Sequence, residues 1–318
     1  MVRSSPGLGR SAEPPHHRPL LCALAPTMLN KAVVNDAVND AVHEGSIWVV
    51  TDLDGTLLDH HYCWDAAKPT LAWLKQVGIV VIPCTSKTAE EVERFRIDAN
   101  LDGPFIVENG GAIHGGIGAE AWEQGLGRPH AELRHKLHAL SNQVGHPLAA
   151  LEDLSSDQVT ELTGLRGEAV LLAQRRRWSV PFLNPPAPLR ETVEQEAIQL
   201  GLTVVQGNRM SHLLQAGTSK GAALAALKQR LNQAEVHVLA LGDSPNDLPL
   251  LEAGDYSVVV PGEQGPHPRL QSWVSEGRFV LAPAAHAAGW AHSVLTHIKA
   301  RVTPELAATA PEPPRDWP

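Results

Sequence analysis

The sequence predicts an α/β fold: a doubly wound parallel sheet of Rossmann-like type, interrupted by a smaller α+β insertion. The observations behind it are apolar runs without alternation, helical segments between them, and acidic residues where the runs stop. A run without alternation belongs to a strand covered on both faces, as parallel strands are. Helices between such strands imply right-handed crossovers.

The elements follow in order. Ile47-Trp48-Val49-Val50-Thr51-Asp52-Leu53 reads as the first strand and stops at acidic residues and Gly55. A helical pattern over 66–77 leads into a second buried run over 79–82. Thr88-Ala89-Glu90-Glu91 has the spacing of a capping box and opens the next helix. Phe105-Ile106-Val107 reads as a third strand, ended by Asn109-Gly110-Gly111. From 112 to 209 the rhythm loosens into helix, polar connection, short strand, a break at Pro181, Pro185, Pro186 and Pro188, then helix and strand. The βα rhythm resumes near Ser219, with a helix to about Asn232 and strands over 236–241 and 256–260. No repeat of fixed period is present. The expected division is a core of 46–112 and 213–302 around an insertion of 113–212.

Both ends read as appendages. Residues 1–45 are expected to be a disordered extension. Two other readings are a start at Met28, or a secretion signal with Arg3, Arg10 and Arg18 ahead of Leu20–Ala25, whose apolar part is short. Residues 303–318 carry Pro304, Pro311, Pro313, Pro314 and Pro318, and are expected to be a loose, disordered tail.

Composition narrows the function. With 26 Lys+Arg against 35 Asp+Glu the chain carries −9, which argues against nucleic acid as a partner, because phosphate backbones select clustered positive charge. No apolar run approaches the roughly 18–20 residues that span a bilayer, so no membrane role is expected. Cys22, Cys63 and Cys84 are too few and scattered for a disulfide framework or a cysteine zinc site, and a reduced, cytoplasmic setting fits. Oligomeric state is not legible.

In open α/β sheets ligands sit beyond the carboxyl ends of the strands. Those ends here carry Asp52 and Asp54, Thr85 and Ser86, Glu108 and Asn109, then Asp243 and Asp247. Carboxylates converging on one rim repel unless a hard cation lies among them, and oxygen ligands point to Mg²⁺. Asp52 is a candidate nucleophile, since a carboxylate can attack phosphorus, and Asp54 a candidate acid and base. Each piece alone has a plain explanation: a turn after a strand, a helix N-cap, a solvated lysine. Their joint occurrence in this order does not.

Asp52-Leu53-Asp54-Gly55-Thr56, Thr85 after an apolar strand, Lys220 at a helix start and Gly242-Asp243-Ser244-Pro245-Asn246-Asp247 resemble the four motifs of haloacid dehalogenase-like phosphatases. The insertion between the second and third motifs is similar to that superfamily's C2-type cap. Thr85-Ser86-Lys87-Thr88, the stretch from Pro104 to Gly111, and the stretches Leu162–Leu165 and Arg176–Phe182 resemble mannosyl-3-phosphoglycerate phosphatases, with likeness over about 47–300. The sequence departs at Val180 and Ser219, where that family commonly has acidic residues. The resemblance implies Asp52 as nucleophile and metal ligand, and Asp54 as metal ligand through its carbonyl and as acid and base through its carboxyl. It further implies Thr85 and Lys220 on the phosphoryl oxygens, Asp243 on Mg²⁺, and Asn246 and Asp247 arranging the surround. Glu108, Asn109 and Gly110 fall where a substrate hydroxyl or a hinge would lie. Arg176 and Arg209 are the candidates for a glycerate carboxylate, because a guanidinium fork matches one bidentately.

The expected activity is therefore Mg²⁺-dependent hydrolysis of mannosyl-3-phosphoglycerate, or its glucosyl epimer, to a glycosylglycerate of the compatible-solute kind. The alternatives are a general sugar-phosphate phosphatase, such as one for sucrose phosphate, and a silent ligand-binding protein. His60-His61, the tryptophans and Gly115–Gly118 are read as surface, packing and loop features.

Overall fold

The computed structural model describes residues 47–207 and 209–314. The expected N-terminal extension and the Leu20–Ala25 segment lie outside the described residues. The core sheet has five parallel strands, in order β11-β10-β9-β1-β2. These are β1 (Ile47–Thr51), β2 (Val80–Pro83), β9 (His237–Gly242), β10 (Tyr256–Val259) and β11 (Val280–Leu281). Helices α1 (Lys68–Gln76), α2 (Ala89–Asp98) and α10 (His286–Lys299) cover one face. Helices α7 (Lys220–Arg230), α8 (Leu248–Ala253) and α9 (Gln271–Ser275) cover the other.

The unbroken apolar runs are explained by this double cover. Val49, Val81, Leu239 and Val258 enter the first layer, while Trp48, Val50, Ile82 and Ala240 enter the second. Alternate residues thus face opposite ways, and both faces are apolar. The capping box forms as its spacing predicts: the Thr88 side chain accepts from Glu91 N–H, and Glu91 answers the Thr88 N–H.

β3 (Phe105–Val107) extends the β2 edge through a parallel bridge between Cys84 and Ile106, then turns back into antiparallel β4 (Ala112–Gly115) and β5 (Trp122–Gly125). This moves the expected cap boundary. Ile113 belongs to the core's second layer, and Trp122 and Leu126 pack against it, so β4 and β5 go with the core and not with the cap.

The cap has its own centre. Helices α3 (His130–Val144) and α6 (Arg190–Gln199) lay Leu133, Leu137, Leu140, Val193 and Ala197 on an antiparallel sheet of order β6-β8-β7. Its strands are β6 (Val180–Phe182), β7 (Leu202–Gln206) and β8 (Ser211–Gln215). α4 (Ser156–Thr163) and α5 (Glu168–Ala173) form a side layer with Leu151 and Met210. Pro181 sits in edge strand β6, where a missing N–H costs no ladder bond.

The C-terminal expectation is corrected in part. α11 (Pro304–Ala308) is a helix, with Thr303 as its N-cap and Pro304 in the first turn, where a missing N–H is harmless. Thr309 accepts a bond from the Trp73 indole at 3.1 Å, tying the segment to α1. Residues 315–318 lie outside the described residues. Among the described residues no helix is long and apolar enough to cross a membrane.

Candidate active site

Register brings three strand ends to one rim. Thr51 lies beside Pro83 on one side and Leu241 on the other, so Asp52, Thr85 and Asp243 emerge together. The main chain ties the rim: Asp52 N–H donates to the Leu241 carbonyl at 2.9 Å, and Thr85 N–H to the Ile106 carbonyl at 3.0 Å. Beneath it, the Trp290 indole donates to Thr51 Oγ1 at 2.9 Å.

Asp52 is buried, with 4% of its surface exposed. The wholly buried Lys220 donates to Asp52 Oδ1 at 2.6 Å and to Asp247 Oδ1 at 2.5 Å. The other Asp247 oxygen accepts the N–H groups of Asp243 and Ser244, each at 3.0 Å. Lys220 is placed by the Ser219 N-cap of α7 and by Gly221, whose Cβ would stand 2.2 Å from the Pro249 carbonyl oxygen. Burial pushes the Asp52 carboxyl up to about 7, with Lys220 opposing and Asp247 reinforcing. Burial alone would lower Lys220, but the Asp247 and Asp52 carboxylates outweigh it and hold the ammonium above its ordinary range.

Asp52, Asp243 and Asp247 each offer an oxygen within 4.8 Å of the others. One ammonium does not neutralise three carboxylates, and an all-oxygen donor set suits a hard cation. Gly55, at φ +89°, lets the loop cross this cluster: a Cβ there would come 2.5 Å from Asp243 Oδ2. Thr56 Oγ1 donates to Asp243 Oδ1 at 3.1 Å, and His286 Nδ1–H to the Gly55 carbonyl at 2.8 Å. Such a cluster can bind a metal ion. Since both Asp247 oxygens already accept from Lys220 and two amides, that residue arranges the cluster more than it offers a free ligand.

Asp54 lies at the rim's edge, its Oδ2 on the Lys87 ammonium at 2.9 Å and its buried Oδ1 without a hydrogen-bond partner among the described residues. Lys87 also faces Glu91 at 3.8 Å and lies 4.8 Å from the Tyr62 ring centre. Burial pulls Lys87 down, yet Asp54 and Glu91 hold it above its ordinary range.

Between rim and cap lies a cavity of about 300 Å³, lined by Asp52, Asp54 and Lys87 from the core and by Arg176, Arg209 and His212 from the cap. Of the residues expected on substrate, Arg176 and Arg209 are there. Arg176 is engaged by the Ala173 carbonyl at 2.8 Å, the Ser86 carbonyl at 2.5 Å and Glu91 at 3.8 Å. Arg209 bonds through NH1, to Tyr62 Oη at 2.7 Å and the Thr163 carbonyl at 2.6 Å. Asn246 also lines the cavity and donates to Asn109 Oδ1 at 3.1 Å.

Glu108, Asn109 and Gly110 do not line it. The Glu108 carboxylate accepts Arg177 N–H at 2.9 Å, Trp178 N–H at 3.1 Å and Ser179 Oγ–H at 2.6 Å, so it fastens the core to the strand entering the cap. Glu108, Asn109 and Gly110 all have positive φ, and a Cβ on Gly110 would collide with the Ser219 carbonyl oxygen at 2.2 Å. They lie at the junction of core and cap. Thr85 is fully buried beside the cavity, its Oγ1 accepting Lys87 N–H at 3.3 Å. Val180 is fully buried in the cap centre, and Trp178 packs on Gly111 and Gly125 away from the cavity.

Sequence reasoning gave no site role to Lys87, Tyr62 or His212, and gave Glu91 only its part in the capping box. Lys87 had a local signal, two residues after Thr85 and just before the N-cap. His212 had none, because only the pairing of β8 with β6 turns it toward the cavity. His60 lines the wall, 5.1 Å from the His286 ring centre.

The fold and this rim define a class: an α/β protein with a buried carboxylate at the carboxyl end of a parallel sheet. The sequence matches the haloacid dehalogenase-like hydrolase family over 49–122 and 186–262, the segments that contain Asp52, Thr85, Lys220 and Asp243. Over those segments of sequence, and in fold, the chain resembles the haloacid dehalogenase-like hydrolases. Solved structures agree on the fold. A sucrose-phosphatase from Synechocystis sp. PCC6803, in complex with sucrose and phosphate, is 18% identical with a TM-score of 0.56, over 80% of this chain and 98% of that one. A haloacid dehalogenase-like hydrolase from B. subtilis is 18% identical with a TM-score of 0.58, over 78% and 98%. A phosphatase of the same superfamily from Bacteroides thetaiotaomicron is 18% identical with a TM-score of 0.57, over 80% and 95%.

Proposed function

We propose that this protein is a Mg²⁺-dependent phosphatase acting on mannosyl-3-phosphoglycerate or its glucosyl epimer, in the cytoplasm. The observation that carries the phosphatase reading is Asp52: a buried carboxylate on Lys220, at the floor of a capped cavity, with Asp54 two residues on.

Asp52 would attack phosphorus, forming an aspartyl phosphate as the ester P–O bond breaks. The departing alkoxide would take its proton from the Asp54 carboxyl. Asp54, then a carboxylate, would take a proton from the water that attacks phosphorus, and the bond to Asp52 would break. Lys220, and Thr85 after a small adjustment, would steady the phosphoryl oxygens as charge develops. Asp52, Asp243 and the Asp54 carbonyl would hold the cation, with Asn246 and Asp247 arranging them. Bound there, it would offset charge on phosphate and nucleophile.

For the glycerate carboxylate Arg209 is the stronger candidate. Arg176 is engaged on three sides, whereas Arg209 bonds only through NH1 among the described residues. The likeness to a sucrose-phosphatase fold supports the second reading, a general sugar phosphatase. The test is kcat/KM for mannosyl- and glucosyl-3-phosphoglycerate against mannose 6-phosphate and sucrose phosphate, in wild type and in Arg176→Lys and Arg209→Lys. A preference for the glycerate esters of roughly a hundredfold, eroded by Arg209→Lys, is expected. A preference for a simple sugar phosphate selects the second reading.

A further inference from the structure

His212 stands apart from every group used so far. It lies on β8 opposite Pro181, and its neighbour Leu213 faces the cap centre, so His212 projects from the other face, toward the core. The side chain lines the cavity and is 7% exposed. Its Nδ1 is buried and has no hydrogen-bond partner among the described residues. Burial, then the Arg176 and Lys220 charges, push this imidazole down to about 3, so it is neutral at physiological pH. A buried polar atom without a partner is a cost that folded proteins seldom leave unmet. A neutral imidazole has one N–H and one lone pair, which suits a hydroxyl and not a second anion. Half a turn about Cβ–Cγ exchanges the ring edges, so either wall can be offered a nitrogen.

We propose that His212 is the hydroxyl-recognition residue of this cavity, hydrogen-bonding a hydroxyl on the alcohol part of a polyhydroxylated phosphate monoester. This rests on the phosphatase reading above and assigns substrate selection to a residue outside the catalytic motifs. The anionic parts of the substrate meet the arginines that line the cavity; its uncharged part meets His212, with Met210 and Pro181 supplying apolar wall.

The experiment compares wild type, His212→Phe and His212→Asn on para-nitrophenyl phosphate, on the best sugar phosphate, and on singly deoxygenated analogues of it. His212→Phe keeps a planar ring and removes both nitrogens. The expected result is a loss of roughly 10–100-fold in kcat/KM on the sugar phosphate, mostly in KM, with about threefold or less on the aryl phosphate. His212→Asn should recover part of the loss. One deoxy analogue should be poor for wild type and no poorer for His212→Phe. Equal losses on aryl and sugar phosphates, or no loss on either, overturn the proposal. If His212→Phe fails to fold, the wild-type deoxy series decides: indifference to every deoxygenation overturns it. No phosphate release by wild type from any substrate with Mg²⁺ rejects the phosphatase reading itself, and the inference with it.

Discussion

At the scale of single residues, the site is organised by one lysine shared between two carboxylates. Lys220 is fully enclosed, and Asp52 and Asp247 meet it within 2.6 Å. Lys220→Met would leave two buried carboxylates without their cation. We expect it to cost about 3–5 kcal/mol, read from denaturant unfolding without added metal, and a loss within 1 kcal/mol would mean the three groups do not depend on one another. Asp52→Asn should behave differently, because an amide still accepts from Lys220 but attacks phosphorus poorly. Its stability should stay within about 1 kcal/mol of wild type while turnover falls at least about a hundredfold. These positions were legible in the sequence because each follows directly on its own strand or opens its own helix.

At the scale of elements, the cap is joined to the core by several fastenings, two of which involve Glu108 and Tyr62. Glu108 holds the chain at 177–179 through three hydrogen bonds, and Tyr62, at φ +61°, donates from Oη to the Thr163 carbonyl at 2.9 Å. Glu108→Ala should therefore destabilise by about 2–4 kcal/mol and open the joint between 125 and 130 to limited proteolysis, while Glu108→Gln should keep part of the fastening. Unchanged cleavage kinetics in Glu108→Ala would contradict the fastening role. The Glu-Asn-Gly-Gly run was recognisable as special, but its role was not, because the partners of Glu108 lie some 70 residues ahead. The cap boundary failed for a related reason: β4 and β5 alternate weakly, and only the burial of Ile113 shows which body they join. The C-terminal prolines misled because composition does not say which one falls in the first turn of a helix.

At the scale of the molecule, the end of the sheet away from the site carries a pair of histidines that links stability to pH. His237 and His297 approach at 3.0 Å between Nε2 atoms, so one donates and the other accepts. Burial, then Arg301 and His237, push His297 down to about 4. The same burial and Arg301 lower His237. With folded values below unfolded ones, the unfolded chain takes up more protons, so the contribution is full above about 6.5 and is lost as pH falls toward 4. The midpoint of thermal unfolding should drop across that window, and His297→Phe should flatten the drop; parallel curves for the two proteins would refute the linkage. Nothing in the sequence pointed to this pair, whose members sit 60 residues apart.

The central claim is that phosphoryl transfer passes through Asp52. The measurement that tests it most directly is a rapid-quench reaction with a phosphate monoester and Mg²⁺, followed by borohydride reduction and peptide mass spectrometry. An acyl phosphate on Asp52 is reduced to homoserine, so the expected result is that mass change at Asp52 alone, appearing with the first turnover and missing after chelation. Product formation with an unmodified Asp52, or reduction at another carboxylate, would contradict the account.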